Sequence, residues 1–95
     1  MIRLVVYDIQ QNKLRRKIAK ELLRIGFSRI QKSVFLGNIS AKALQKSLKK
    51  CKLKLGEDDK LYVLPLTEKQ ALDMVMLGVA ENIEFIIGSW PTFIF

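Results

Sequence analysis

An α+β fold is predicted by three observations on this 95-residue sequence. Segments rich in β-branched residues and segments with helical apolar spacing follow one another in the order β-α-β-β-α-β. Helix start and stop residues stand at the boundaries between them. A hydrophobic content of 49% with 27% charged residues fits one small globular domain over residues 1–95.

Residues 2–9, Ile-Arg-Leu-Val-Val-Tyr-Asp-Ile, read as a buried strand. Asn12 is placed to cap a helix running to about Ile25, with Leu14, Ile18, Leu22 and Ile25 as its apolar stripe and Gly26 as its stop. The opposite face carries Lys13, Arg16, Lys17, Lys20 and Arg24. Residues 28–39 read as extended, either as one kinked strand or as two short ones, with Gly37-Asn38 as the interruption. Ser40 caps a second helix whose stripe is Ala41, Leu44, Leu48 and Cys51.

Gly56-Glu57-Asp58-Asp59 reads as a turn and Leu61 to Leu66 as a strand, which Pro65 directs to a sheet edge. Thr67 and Gln70 have the spacing of a capping box, opening a short helix through Met74 to about Leu77. Residues 83–87 and 91–95 read as extended. The element order is that of a ferredoxin-like βαββαβ sandwich, an antiparallel sheet with two helices on one face. Residues 1–66 form its core, and 67–95 add a helix and a C-terminal extension strand. Thr92-Phe93-Ile94-Phe95 is unusually apolar for a free tail. That strand either exchanges across a homodimer, covering an edge, or folds back on its own sheet.

Charge narrows the function. The net charge is +8, and the chain has no His and one Cys. This composition excludes His-based catalysis, a His metal site, an intrachain disulfide and a Cys-cluster zinc site. Residues 13–54 hold fourteen Lys/Arg against one acid, Glu21, a net of +13; residues 57–95 carry −5. So polarised a chain builds a positive face, whose usual partner is a phosphate backbone, RNA or double-stranded DNA. The alternative is a solvated, Lys-rich helical surface. The N-terminus lacks the pattern of a signal peptide, and no apolar run approaches the roughly 18–20 residues of a membrane span. The expected compartment is the cytoplasm.

Asp8 ends the first strand, in surroundings where the only other acid before residue 57 is Glu21. It is either an ion-pair partner or a ligand for a hard cation such as Mg²⁺. One carboxylate makes a poor metal site, but a two-fold axis would bring two Asp8 side chains together. A divalent cation would relieve their repulsion and could activate water at a phosphodiester. Around Asp8 the sequence places phosphate binders: Arg15, Arg16 and Lys17 lie in the first turns of the following helix, and Arg29, Gln31 and Ser33 alternate along one strand face as a polar lining beside Asp8. Tyr7 and Phe35 are either core or base-stacking residues. Cys51 lies on an apolar stripe and reads as a small core residue. Neither a Gly-rich phosphate loop nor the aromatic RNA-recognition pattern is present.

Val5-Val6-Tyr7-Asp8-Ile9, Asn12-Lys13-Leu14-Arg15 and Arg29-Ile30-Gln31-Lys32-Ser33-Val34-Phe35-Leu36-Gly37 resemble the CRISPR-associated Cas-two family. The likeness is strong to about residue 66 and looser beyond. It implies a small dimeric, Mg²⁺-dependent endonuclease on RNA or DNA, partnered with the spacer integrase in spacer acquisition. It also implies Asp8 as the metal-binding and catalytic residue, shared with its dimer mate. Arg15 and Arg29 match positions tied to nucleic-acid handling, and Ser33 and Phe35 sit in the motif strand. Lys17 stands where relatives often carry Arg, losing the bidentate fork. Gln10 and Gln11 replace acids common after the strand. The alternative within the same family is a non-catalytic scaffold that holds the spacer duplex and bridges integrase dimers. A small-molecule-sensing ferredoxin-like domain is the third reading, and a net of +13 speaks against it.

Overall fold

The computed structural model describes residues 1–78 and 83–88. The element order is β1 (Ile2–Asp8), α1 (Asn12–Arg24), β2 (Ser28–Gln31), β3 (Val34–Asn38), α2 (Ala41–Lys52), β4 (Lys60–Leu66), α3 (Glu68–Leu72) and α4 (Ile83–Ile86). The four strands form one antiparallel sheet in the order β2-β3-β1-β4. This is the ferredoxin-like arrangement expected from the element order, with β1 central and Pro65 on the edge strand β4.

Strand alternation gives the sheet two distinct faces. Val5, Tyr7, Phe35, Leu61 and Val63 pack with Ile18, Leu22, Leu44 and Cys51 in the core beneath α1 and α2. On the other face Ile2, Leu4, Leu36 and Leu66 pack with Ala71 of α3 and with Ile83, Ile86 and Ile87. The α3 and α4 segments cover only part of that second face. Tyr62 and Leu64 of β4, register partners of Val6 and Leu4, remain 60% and 42% exposed.

Helix ends follow local chemistry. Gln11, not Asn12, is the N-cap of α1 and contributes no side-chain cap bond. Gly26, at φ +113, ends α1, with Gly26 N–H donating to Leu23 O and Phe27 N–H to Leu22 O in a Schellman motif. Ser40 Oγ accepts from Ala43 N–H to cap α2, although Ala41 is exposed and Ser47 takes the buried position on the stripe. The Thr67–Gln70 capping box is present, but α3 stops at Leu72 rather than about Leu77.

Residues 28–39 form a hairpin broken at Lys32-Ser33, while β3 runs straight through Gly37. Glycine is tolerated there because a Cβ would lie 3.0 Å from Phe27 Cδ1, and Phe27 needs that space. Residues Ile83–Ile86 are a helical turn, not a strand. The expected extension strand at 91–95 lies outside the described residues, and the question of its exchange with it.

Candidate functional site

The end of β1 is stitched to the β2–β3 turn. Tyr7 N–H donates to Ser33 O at 3.1 Å, and the Tyr7 hydroxyl donates to Lys32 O at 3.4 Å. Arg29 Nη2 donates to the same Lys32 carbonyl at 3.1 Å. Its guanidinium lies 5.2 Å above the Phe35 ring centroid, and Phe35 stacks on Tyr7 at 5.9 Å. Phe35 is fully buried, so it serves as the floor under Arg29 and not as a base-stacking platform, correcting its placement among the nucleic-acid-contacting residues. Tyr7 is likewise core.

The β1–α1 loop is fixed just as firmly. Arg15 Nη1 donates to Ile9 O at 2.8 Å, and Nη2 donates to Asn12 Oδ1 at 2.7 Å. On the loop's other side Asp59 accepts from Gln10 N–H at 2.9 Å and Gly56 N–H at 2.7 Å. Those two amides, Gln10 first, hold the Asp59 carboxyl below its ordinary pKa.

Between loop and hairpin opens a cavity of about 500 Å³ lined by Asn12, Arg15, Arg16, Arg29, Lys32 and Ser33. Four cations and no acid face it. Arg15, Arg16, Arg29 and Ser33 thus line one cleft. Lys17 does not join them. It borders a separate hollow of about 280 Å³ with Gln11, Lys13, Leu14 and Lys54. Gln31 departs too, because a register irregularity between Arg29 and Gln31 pairs Arg29 with Phe35 but Gln31 with Val34. The extra residue breaks the period of two and sends Gln31 to the opposite face. There it borders a hollow with Leu4, Ile30, Val34 and Met74.

Asp8 is exposed and pairs in register with Lys60 on the last rung of β1 and β4. Its carboxylate makes no hydrogen bond or ion pair among the described residues, which removes the structural ion-pair reading for those residues. By alternation it shares the face of Leu4 and Val6, opposite the helices, whereas Arg29 lies on the helical side. Acid and cations occupy the same end of the sheet on its two faces.

Sequence reasoning missed Lys32 and Asn12 as cleft residues. The hairpin turn at Lys32-Ser33 is the signal for Lys32, whereas the sequence offers Gly37-Asn38 as the interruption. Asn12 reads from the sequence as a cap, while its carboxamide braces Arg15. No helix among the described residues is long and apolar enough to cross a membrane.

These features define a small ferredoxin-like α+β protein with a cationic cleft at one sheet end. The sequence profile described as CRISPR associated protein Cas2 matches residues 1–74. The CRISPR-associated endoribonuclease Cas2 of Nanoarchaeum equitans is 34% identical over 88% of this chain and 91% of that protein. The protein of the same name from Aeropyrum pernix is 32% identical over 79% of this chain and 83% of its own length. The crystal structure of Streptococcus pyogenes Cas2 shares the fold, with a TM-score of 0.73 at 24% identity over 82% of this chain and 100% of that one. A hypothetical protein from Thermus thermophilus, TT1823, superposes at a TM-score of 0.73 and 27% identity, over 85% of this chain and 94% of that one. The chain belongs to the Cas2 family of CRISPR associated proteins.

Proposed function

We propose that this chain is a homodimeric, Mg²⁺-dependent endonuclease that cuts phosphodiester bonds of RNA or DNA in the cytoplasm during CRISPR spacer acquisition, alongside the spacer integrase. The observation that carries the reading is Asp8: an exposed carboxylate at a strand end, unpartnered among the described residues, at the same end of the sheet as a cation-lined cleft on the other face. The endoribonuclease names of the relatives support the reaction class.

The donor set fits the ion. Mg²⁺ is a hard cation held through one or two carboxylates plus waters, and Asp8 offers one such oxygen donor per chain. No group of three His, Cys, Asp or Glu among the described residues forms an all-protein cage, so a second Asp8 across a two-fold axis would complete the pair. When bound, the ion would supply Lewis-acid polarisation of the phosphodiester and an activated water. The chain's own residues do the rest. Arg16 and Lys32 attract the polyanion, Arg15 and Asp59 hold the loop that follows Asp8, and Arg29 braces the hairpin. The sheet face carrying Val6, Tyr62 and Leu64 is apolar and partly uncovered, which suits pairing of two copies with their Asp8 residues toward each other.

Cleavage of end-labelled RNA and DNA strands, wild type against Asp8→Asn, tests the reading. The variant should fold normally and lose Mg²⁺-dependent cutting. Equal cutting by both proteins would overturn it. A second reading, a scaffold that holds duplex DNA and bridges integrase dimers, is favoured by the hollow of Lys13, Lys17 and Lys54, which is distinct from the cleft. In that case Asp8→Asn would bind duplex as wild type does and neither protein would cleave.

A further inference from the structure

We propose that the cleft of Asn12, Arg16, Arg29, Lys32 and Ser33 is a pocket for a terminal phosphate monoester of a nucleic-acid strand, separate from the place where the strand is cut. The inference rests on the nucleic-acid reading above and deepens it.

Charge points to the ligand. Four cationic side chains line one cavity with no acid among its lining residues. An internal phosphodiester brings a single negative charge, whereas a terminal monoester carries about −1.5 to −2 near neutral pH and three acceptor oxygens. A cavity with this excess of donors discriminates in favour of the monoester. Its volume of about 500 Å³ lies in the range, roughly 300–1,000 Å³, of pockets that hold small ligands.

Arg29 and Asn12 are ordered before anything binds, while Arg16 and Lys32 are free to close on the ligand. Arg29 is held from one side by the Lys32 carbonyl and from below by Phe35, leaving its remaining N–H groups to the cavity. Arg15 is spent on Ile9 O and Asn12 Oδ1, so it builds the wall and leaves the Asn12 amide nitrogen available. Arg16 and Lys32 make no side-chain hydrogen bond or ion pair among the described residues, and both are exposed. The preorganisation of Arg29 and Asn12 lowers the ordering cost of binding.

Position separates this phosphate from the scissile one. The cleft is on the helical side of the sheet and Asp8 faces the other side. A strand anchored by its end in the cleft would have to round the tip of β1 before passing Asp8. The pocket would then choose strands by their ends and fix how far inside the end they are cut.

Binding without chemistry tests this. Affinities of one short oligonucleotide bearing a 5′-phosphate, a 3′-phosphate or neither are measured in EDTA, with wild type, Arg16→Ala, Lys32→Ala and Asp8→Asn. One phosphorylated form should bind about tenfold tighter than the unphosphorylated strand. Arg16→Ala and Lys32→Ala should erase that preference, Asp8→Asn should keep it, and inorganic phosphate should compete with it. The 5′ and 3′ arms identify which end is read. Equal affinity for all three oligonucleotides, or a preference that survives both cleft variants, would overturn the proposal. Because no metal or cleavage enters the assay, its result is independent of whether Asp8 proves catalytic.

Discussion

Glu21 is the one acid among the cations of residues 13–54, and it holds the two long helices together. Its carboxylate pairs with Arg24, accepts from the buried Ser47 hydroxyl at 2.9 Å and lies 3.9 Å from Lys50 Nζ. The Arg24 hydrogen bond, outweighing the opposing effect of burial and aided by Ser47, lowers its pKa from 4.5 to about 2. A depressed carboxyl pKa stabilises the fold above the unfolded value, and that stability is lost as pH falls through the folded value. Thermal unfolding followed by circular dichroism should therefore show the wild-type midpoint dropping more steeply than that of Glu21→Gln between pH 4.5 and about 2. Gly37 sets a second residue-scale expectation. A methyl group there would meet Phe27 Cδ1 at 3.0 Å and Phe27 Cα at 3.1 Å, the latter a backbone atom that cannot swing away. Gly37→Ala should cost about 1–3 kcal/mol in urea unfolding.

Elements with strong local signals were legible in the sequence. Strand β1, the helices after Gln11 and Ser40, the edge position of β4 and the Thr67 capping box all have caps, stops or uniform β-branched runs. Removing one such signal has a defined effect: Ser40→Ala should destabilise the protein by about 1 kcal/mol in urea unfolding, because Ala43 N–H loses its acceptor. What was not legible depends on tertiary contacts. Gly37-Asn38 looked like a break, but the glycine answers to Phe27 across the core and the chain turns instead at Lys32-Ser33. The irregularity after Arg29 is invisible to a period of two, which puts Gln31 on the face of Arg29 where the fold turns it to the other. Ile83–Ile87 has strand composition, yet its turn of helix packs on the half-covered sheet face, where Asn38 Nδ2 donates to Ile87 O at 3.4 Å. The cleft cations were legible by type and their convergence was not. Arg15 in particular looked like a phosphate binder, and the backbone carbonyl of Ile9 claims it.

Across the whole molecule, charge and apolar surface are sorted. The lysines and arginines of residues 13–54 give a positive exterior, so binding of a non-specific duplex should fall steeply between about 50 and 200 mM salt in a fluorescence titration. A shallow slope would mean that the lysines are only solvated. The apolar strip of Val6, Tyr62 and Leu64 makes a different prediction. If copies pair through it, Leu64→Asp should halve the mass seen by sedimentation while leaving the circular dichroism spectrum unchanged.

The sheet is one peptide layer thick, and Asp8 and the arginine cleft open onto its two sides. Anything resting on the tyrosine-and-leucine side leaves the guanidinium side free. A polyanion lodged on the guanidinium side would meet a second protein seated on Tyr62 and Leu64 only at the rim of β1, where Asp8 stands.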